Sequence, residues 1–116
     1  MYETIYLLSK SKIIENFEII NFVVEEDLQL LNVKCFLVDE SVLYIRDVII
    51  SSTEKYSYHW QNGKGKLIVR WDNSPHHKVK TYPHHKHIKN KIEPSERVTV
   101  SSILEYIEKR IRKKHN

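Results

Sequence analysis

Imidazole and guanidinium groups are concentrated in one stretch of the chain, from residue 56 to residue 87. The stretch holds six of the seven histidines, both tryptophans and three of the seven tyrosines. Imidazole titrates near neutral pH, and guanidinium binds phosphate through a planar fork of donors, so these residue types suit proton transfer beside an anion. We therefore expect the functional site in this stretch and expect the rest of the chain to position it.

Alternation along two consecutive predicted strands separates an apolar face from a polar one. The apolar face, expected in the core, comprises Tyr56, Tyr58, Trp60, Leu67, Val69 and Trp71. The polar face presents His59, Gln61, Arg70 and Asp72. If Arg46 of the preceding strand joins them, the sheet carries a cationic, proton-transferring surface. The alternative is that these residues have no functional role, and that Arg70 and Asp72 form an ion pair beside a solvated His59.

Two Pro-His-His motifs follow, Pro75-His76-His77 and Pro83-His84-His85-Lys86-His87. Cleavage of RNA by its own 2′-hydroxyl needs a base, an acid for the leaving oxygen and a cation for the phosphorane. The residues predicted to act in catalysis are His59, Arg70, Asp72, His84, His85 and His87, and Asp72 would orient Arg70 or a histidine. Those predicted to bind phosphate or substrate are Arg46, Lys86, His76, His77 and Tyr58. A histidine-rich loop that only packs is the alternative.

Histidine is also the commonest metal ligand, and His85 and His87 point to the same side of an extended chain. Neither a nearby cysteine nor an HExxH pattern accompanies them. We therefore expect no bound metal and no cofactor, with metal binding by the histidines as an alternative.

Charge is divided unevenly along the chain. Residues 1–55 carry 5 Lys and Arg against 10 Asp and Glu, whereas residues 56–116 carry 14 against 5. A half-chain this basic predicts a polyanionic partner, RNA or DNA first and an acidic protein second. No apolar run approaches the ~20 residues of a membrane span, and a single cysteine, Cys35, suits a reducing compartment. We expect a cytoplasmic protein without membrane association.

Hydrophobic periodicity predicts an α+β fold in a single domain over residues 1–116. A short N-terminal helix is expected over residues 3–15, followed by about five strands in an antiparallel meander. Asn62-Gly63-Lys64-Gly65 predicts the hairpin between the fourth and fifth strands. Residues 73–97 are expected to form an ordered His-rich surface loop. A capping box at Ser102–Glu105 then predicts a C-terminal helix packed on one face of the sheet, with a basic tail over residues 109–116.

Four motifs occur in a fixed order in the second half of the chain. They are Tyr56-Ser57-Tyr58-His59-Trp60-Gln61, Leu67-Ile68 with Arg70-Trp71-Asp72-Asn73, Pro75-His76-His77 and Pro83-His84-His85-Lys86-His87. This order resembles the TumE family, toxin components of prokaryotic toxin–antitoxin pairs. Tyr44-Ile45-Arg46-Asp47 stands where the family has an FRE- or FRD-like strand, and the resemblance spans approximately residues 42–110. Lys78-Val79-Lys80, between the two Pro-His-His motifs, departs from the family pattern by its extra basic charge.

The resemblance implies a growth-inhibiting toxin and a cognate antitoxin, typically encoded beside it and carrying a DNA-binding helix-turn-helix. The ribonuclease hypothesis rests on the residues above and on analogy with small helix-plus-sheet toxin ribonucleases. Our leading hypothesis is thus a toxin that acts as a metal-independent endoribonuclease. The alternatives are a nucleic-acid-binding module without turnover and a metal-binding toxin with a different target. A homodimer is compatible with each of these hypotheses.

Overall fold

The computed structural model describes residues 1–114 and has the α+β class that the periodicity predicts. Helix α1 (Tyr2–Lys10) precedes strands β1 (Ile14–Val24), β2 (Leu28–Leu37), β3 (Val42–Ile50), β4 (Thr53–Gln61), β5 (Leu67–Asp72), β6 (His85–Ile88) and β7 (Lys91–Pro94), and helix α2 (Val100–Lys114) follows. The strands form one antiparallel sheet in chain order, from β1 to β7. Each strand therefore pairs with its neighbours in sequence, as in a meander.

The predicted number of strands is wrong, because the sheet has seven strands rather than five. The two additional strands, β6 and β7, lie within residues 73–97, which the sequence predicts as a loop. Each has four residues, too few for a visible period. Lys89 and Asn90 connect them with φ values of 51° and 61°, the left-handed conformation that a two-residue hairpin turn needs. His85 and His87 consequently belong to the sheet, and the irregular parts of the predicted loop are residues 73–84 and 95–97.

The hydrophobic core lies on one face of the sheet. Tyr56, Tyr58, Trp60, Val69 and Trp71 are buried there, as the alternation predicts, whereas Leu67 stays exposed. Helix α2 covers this face with a buried stripe of Val100, Ile103, Leu104, Ile107 and Ile111. Its Tyr106 meets Trp60 and Trp71 edge-on, with ring centroids 6.4 and 5.3 Å apart. The packing leaves the opposite face of the central strands free of helices.

The start of α2 differs from its predicted position. The helix begins at Val100, because Thr99 and Ser102 form the reciprocal cap: each backbone N–H donates to the other's hydroxyl, at 2.9 and 3.1 Å. The basic segment continues the helix to Lys114, and the rest of the predicted tail, residues 115–116, lies outside the described residues. Neither helix within residues 1–114 has the length and apolarity that crossing a membrane requires.

The hairpin between β4 and β5 confirms the turn predicted at residues 62–65. The Asn62 side-chain oxygen accepts hydrogen bonds from the backbone N–H groups of Lys64 and Lys66, at 2.9 and 3.0 Å. Gly65 has φ of 85°, where a side chain would be strained. This turn sets the register that places His59 directly opposite Arg70.

Candidate functional site

The helix-free side of the sheet, which we call the polar face, collects polar side chains from four adjacent strands. Directly paired residues point to the same face, so the register defines two parallel rows. In one row His59 pairs with Arg70, and Arg70 with His87. In the other, Arg46 pairs with Ser57, Ser57 with Asp72, and Asp72 with His85. Arg46 therefore shares a face with the residues that the sequence grouped around His59.

His59 and Arg70 are in direct contact across β4 and β5. Arg70 Nη1 lies 3.3 Å from His59 Nδ1, and His59 Nε2 lies 3.1 Å from Gln61 Oε1. A guanidinium can only donate and the Gln61 oxygen can only accept, so a neutral His59 carries its proton on Nε2 and a lone pair on Nδ1. Burial, followed by the positive charge of Arg70, lowers the pKa of His59, and the hydrogen bond to Gln61 partly opposes this. Nδ1 is therefore a base beside a cation at neutral pH.

Asp72 is the buried carboxylate of the polar face. Its Oδ2 accepts a hydrogen bond from Arg70 Nε at 3.1 Å, and its Oδ1 accepts one from the Ser74 N–H at 2.9 Å. Burial alone would raise the pKa of Asp72, but the hydrogen bonds from Ser74, the charge of His85 and the hydrogen bond from Arg70 lower it below its usual value. Asp72 is thus ionised and fixes the Arg70 guanidinium next to His59.

Three histidines, His77, His85 and His87, surround the other side of Asp72, and we call them the histidine cluster. His85 Nε2 lies 3.0 Å from Asp72 Oδ1, and His87 Nε2 lies 3.5 Å from Asp72 Oδ2. The Nε2 atoms of His85 and His87 are 3.1 Å apart. His77 reaches them from the 73–84 loop, with its ring centroid 4.9 Å from that of His85 and 5.4 Å from that of His87.

A groove of about 690 Å³ runs along the polar face beside Arg70. Its polar and aromatic lining includes Arg46, Lys55, Ser57, Arg70, Asn73, His76 and Tyr82. Arg46, Lys55 and His76 are exposed, so their charges and ring nitrogens are open to a ligand. Such a groove can hold a phosphate between guanidinium groups and leave a base to stack on Tyr82.

The polar face does not include three of the residues that the sequence nominated. Lys86 pairs with Trp71 and so points to the face covered by α2. Tyr58 is buried on that face, and burial raises the pKa of its hydroxyl. His84 Nδ1 lies 2.7 Å from the hydroxyl oxygen of Tyr56, and the two rings stack with centroids 5.7 Å apart. His84 therefore lies apart from His85 and His87. Neighbouring residues of an extended chain point in opposite directions, so His84 faces away from His85.

Tyr82 is a groove residue that the sequence reasoning missed. Its ring is 48% exposed, and Lys78 Nζ lies 5.9 Å from the ring centroid. An aromatic residue between two Pro-His-His motifs, close to Lys78 and Lys80, is the signal that could have identified it. An exposed aromatic ring flanked by cations is typical of surfaces that bind single-stranded nucleic acid.

Comparison with known proteins identifies the family. Residues 4–114 of the 116-residue chain match the family model described as Toxin TumE. Searches of curated proteins and of solved structures gave no match. The family match also includes the N-terminal residues, which carry none of the motifs described above, and it covers nearly the whole chain. The chain therefore belongs to the TumE toxin family.

Proposed function

We propose that this toxin inhibits growth by cleaving RNA, with no metal ion in the chemical step. The observation that carries the proposal is the contact between His59 Nδ1 and Arg70 Nη1, 3.3 Å apart on the polar face. It joins a base of lowered pKa to a phosphate-binding cation. Arg70 lines the groove, and His59 pairs with Arg70 on the adjacent strand, so an RNA strand in the groove would lie next to both groups.

The proposed reaction is attack of a ribose 2′-hydroxyl on the adjacent phosphate. As the phosphate binds, Arg70 Nη1 turns from His59 Nδ1 to the phosphate, and Nδ1 accepts the proton of the 2′-hydroxyl as the O2′–P bond forms. Arg70 and Arg46 stabilise the negative charge of the phosphorane. The P–O5′ bond then breaks, and His76, which lines the groove, donates a proton to the leaving oxygen. The products are a 2′,3′-cyclic phosphate and a 5′-hydroxyl.

Two features of the groove support RNA as the substrate class. Arg46, Lys55 and Arg70 place positive charge along its length. The exposed ring of Tyr82 offers a stacking platform for an unpaired base. The reaction itself requires a 2′-hydroxyl, which DNA lacks. A single-stranded or looped RNA fits these features best, because its bases are free to stack on protein.

Family membership also supports an antitoxin partner. We propose a cognate antitoxin, a helix-turn-helix DNA-binding protein, as the partner that neutralises the toxin. A protein seated on the polar face would block both His59 and the groove. Co-expression with the neighbouring gene should restore growth without changing the level of the toxin.

Induced expression of variants in cells tests the proposal. His59→Ala and Arg70→Gln should relieve growth inhibition and leave cellular RNA intact at toxin levels equal to wild type. Lys86→Gln is the matched control, because it removes a positive charge from the opposite face and should stay toxic. Full toxicity of His59→Ala would contradict the proposal. Growth inhibition by the wild type with intact RNA would favour a nucleic-acid-binding toxin without turnover.

A further inference from the structure

The histidine cluster brings the ring nitrogens of three imidazoles together beside a buried carboxylate. His85 is fully buried, and its Nδ1–H donates to the Pro83 carbonyl at 2.9 Å. Its Nε2 lies on the other side of the ring, 3.0 Å from Asp72 Oδ1 and 3.1 Å from His87 Nε2. Three atoms of the kinds that ligate metal ions therefore lie close together at a buried position.

The spacing of these nitrogen and oxygen atoms fits a bound metal ion. His85 Nε2 lies 3.1 Å from His87 Nε2 and 3.0 Å from Asp72 Oδ1, and His87 Nε2 lies 3.5 Å from Asp72 Oδ2. Ligands about 2.0–2.1 Å from a tetrahedral zinc ion are about 3.3–3.4 Å from one another. His77 is a further donor, since the ligand atoms of the three histidines all lie within 4.8 Å of one another. The 73–84 loop would move slightly inward for His77 to reach a shared ion.

The groups behind these donors have the arrangement that metal ligands need. A ligating histidine normally donates its second ring N–H to a carbonyl or carboxylate, as His85 does to Pro83. Ligating carboxylates are themselves hydrogen-bonded, as Asp72 is by Ser74 and Arg70. β6 supplies two of the ligands at alternate positions, β5 supplies Asp72 and the loop supplies His77.

We propose that Asp72, His77, His85 and His87 bind one divalent transition-metal ion of the zinc type. Four protein ligands close a tetrahedral site, which is typical of structural rather than catalytic zinc. The ion fastens the 73–84 loop to β5 and β6, and so holds His76 and Tyr82 at the groove and Asp72 against Arg70. This proposal departs from our sequence-based expectation of no bound metal. The sequence alone did not show that Asp72 lies beside the histidines. The metal-site proposal does not rest on the ribonuclease proposal.

Cobalt(II), a coloured substitute for zinc, tests the proposal directly. The full chain, made with a tag that contains no histidine, is stripped with a strong chelator and titrated with cobalt(II) chloride. We expect one equivalent to bind, with the intense visible absorption of a tetrahedral ion, and zinc to displace it. Zinc should also raise the melting temperature of the stripped protein. If the protein gives neither the spectrum nor the stabilisation, the proposal is wrong.

Neighbouring histidines provide matched variants for the same titration. His77→Ala and His87→Ala should weaken cobalt binding at least about tenfold, the smallest loss usual for changes near a metal site. His76→Ala and His84→Ala, each one residue away from a proposed ligand, should bind as wild type does. Circular dichroism establishes that each variant is folded. Equal losses in His76→Ala and His77→Ala would indicate adventitious binding by surface histidines and would overturn the assignment.

Discussion

His59 and Arg70 place a base and a cation in direct contact, a combination that neither side chain provides alone. Burial and the positive charge of Arg70 lower the pKa of His59, so the imidazole stays unprotonated beside the guanidinium. Asp72 holds the other edge of the guanidinium through Arg70 Nε at 3.1 Å. The alternation of residues along β4 and β5 was sufficient to predict that His59, Arg70 and Asp72 share a face. It could not place His85 and His87, because their pairing with β5 depends on the path of the 73–84 loop.

The hydrogen bond between His59 and Gln61 gives a prediction at the residue scale. The base must be deprotonated, so the cleavage rate should rise as pH increases through the pKa of His59, with a midpoint below the ordinary value of 6.5. Gln61→Leu removes the acceptor that favours the protonated ring and should move the midpoint to lower pH. Gln61→Glu places a negative charge there and should move it to higher pH.

The rate profile and an NMR titration of the His59 ring proton should shift together in each Gln61 variant. A shift in the same direction for both variants would show that Gln61 does not act through the charge of His59. A rate profile that moves while the NMR titration stays fixed would assign the catalytic base to another residue.

Among the elements, strand length decided what could be predicted from the sequence. Strands β1 to β5 have six or more residues, and their apolar and β-branched content was visible. β6 and β7 have four residues each, and Lys89-Asn90 lacks the glycine that usually marks a two-residue hairpin. His85 is buried within β6, so the residue type that indicated a solvated loop is in fact part of the sheet. Pairing with β5, rather than local preference, makes this segment a strand.

The hairpin of β3 and β4 carries a half-buried acidic pair that should weaken the fold at high pH. Burial, a hydrogen bond with Glu54 and the charge of Glu54 raise the pKa of Asp47 from 3.8 to about 7. The folded state thus binds a proton more tightly than the unfolded state does. The stabilisation is present in full below the unfolded pKa and is lost as pH rises through about 7.

Asp47→Asn should therefore stabilise the protein more at pH 8.5 than at pH 5, where the loss has only begun. The amide keeps a donor for Glu54 and carries no charge. We expect a gain of about 1–2 kcal/mol in unfolding free energy, well below that of the full shift because solvent screens the half-buried group. Urea denaturation at both pH values measures it, with the exposed Glu18→Gln as a control for loss of one negative charge. An equal effect at both pH values would contradict this explanation.

On the scale of the whole molecule, the fold assigns different tasks to the two faces of the sheet. One face packs against the helices, while the other carries Arg46, His59, Arg70 and the groove. The excess positive charge of residues 56–116 was plain from the sequence. The sequence did not show which cations would face a ligand. Lys86, for example, lies between two polar-face histidines in the sequence and yet points to the helices. Only the pairing of all the strands distinguishes the cations of the polar face from those that point to the helices.

Salt dependence of RNA binding should identify the cations that contact phosphate. For a single strand, each phosphate contact contributes about −0.7 to the slope of log K against log salt concentration. Arg46→Gln and Lys55→Gln should each make the slope shallower by about 0.7, whereas Lys86→Gln should leave it unchanged. Fluorescence anisotropy with an all-2′-deoxy oligonucleotide measures the slope without cleavage. A loss for Lys86→Gln as large as that for Arg46→Gln would contradict the assignment of binding to the polar face.

The chemistry of the cleaved ends tests the ribonuclease proposal most directly. Purified toxin is incubated with transfer RNA without added divalent ions, and the ends and position of each cut are mapped. We predict 2′,3′-cyclic phosphate and 5′-hydroxyl ends, and no cut in a synthetic fragment whose ribose at that position is 2′-deoxy. His59→Ala should reduce the rate by about 10²–10⁴-fold. Intact RNA with folded wild-type protein, or 3′-hydroxyl and 5′-phosphate ends, would contradict cleavage by the 2′-hydroxyl.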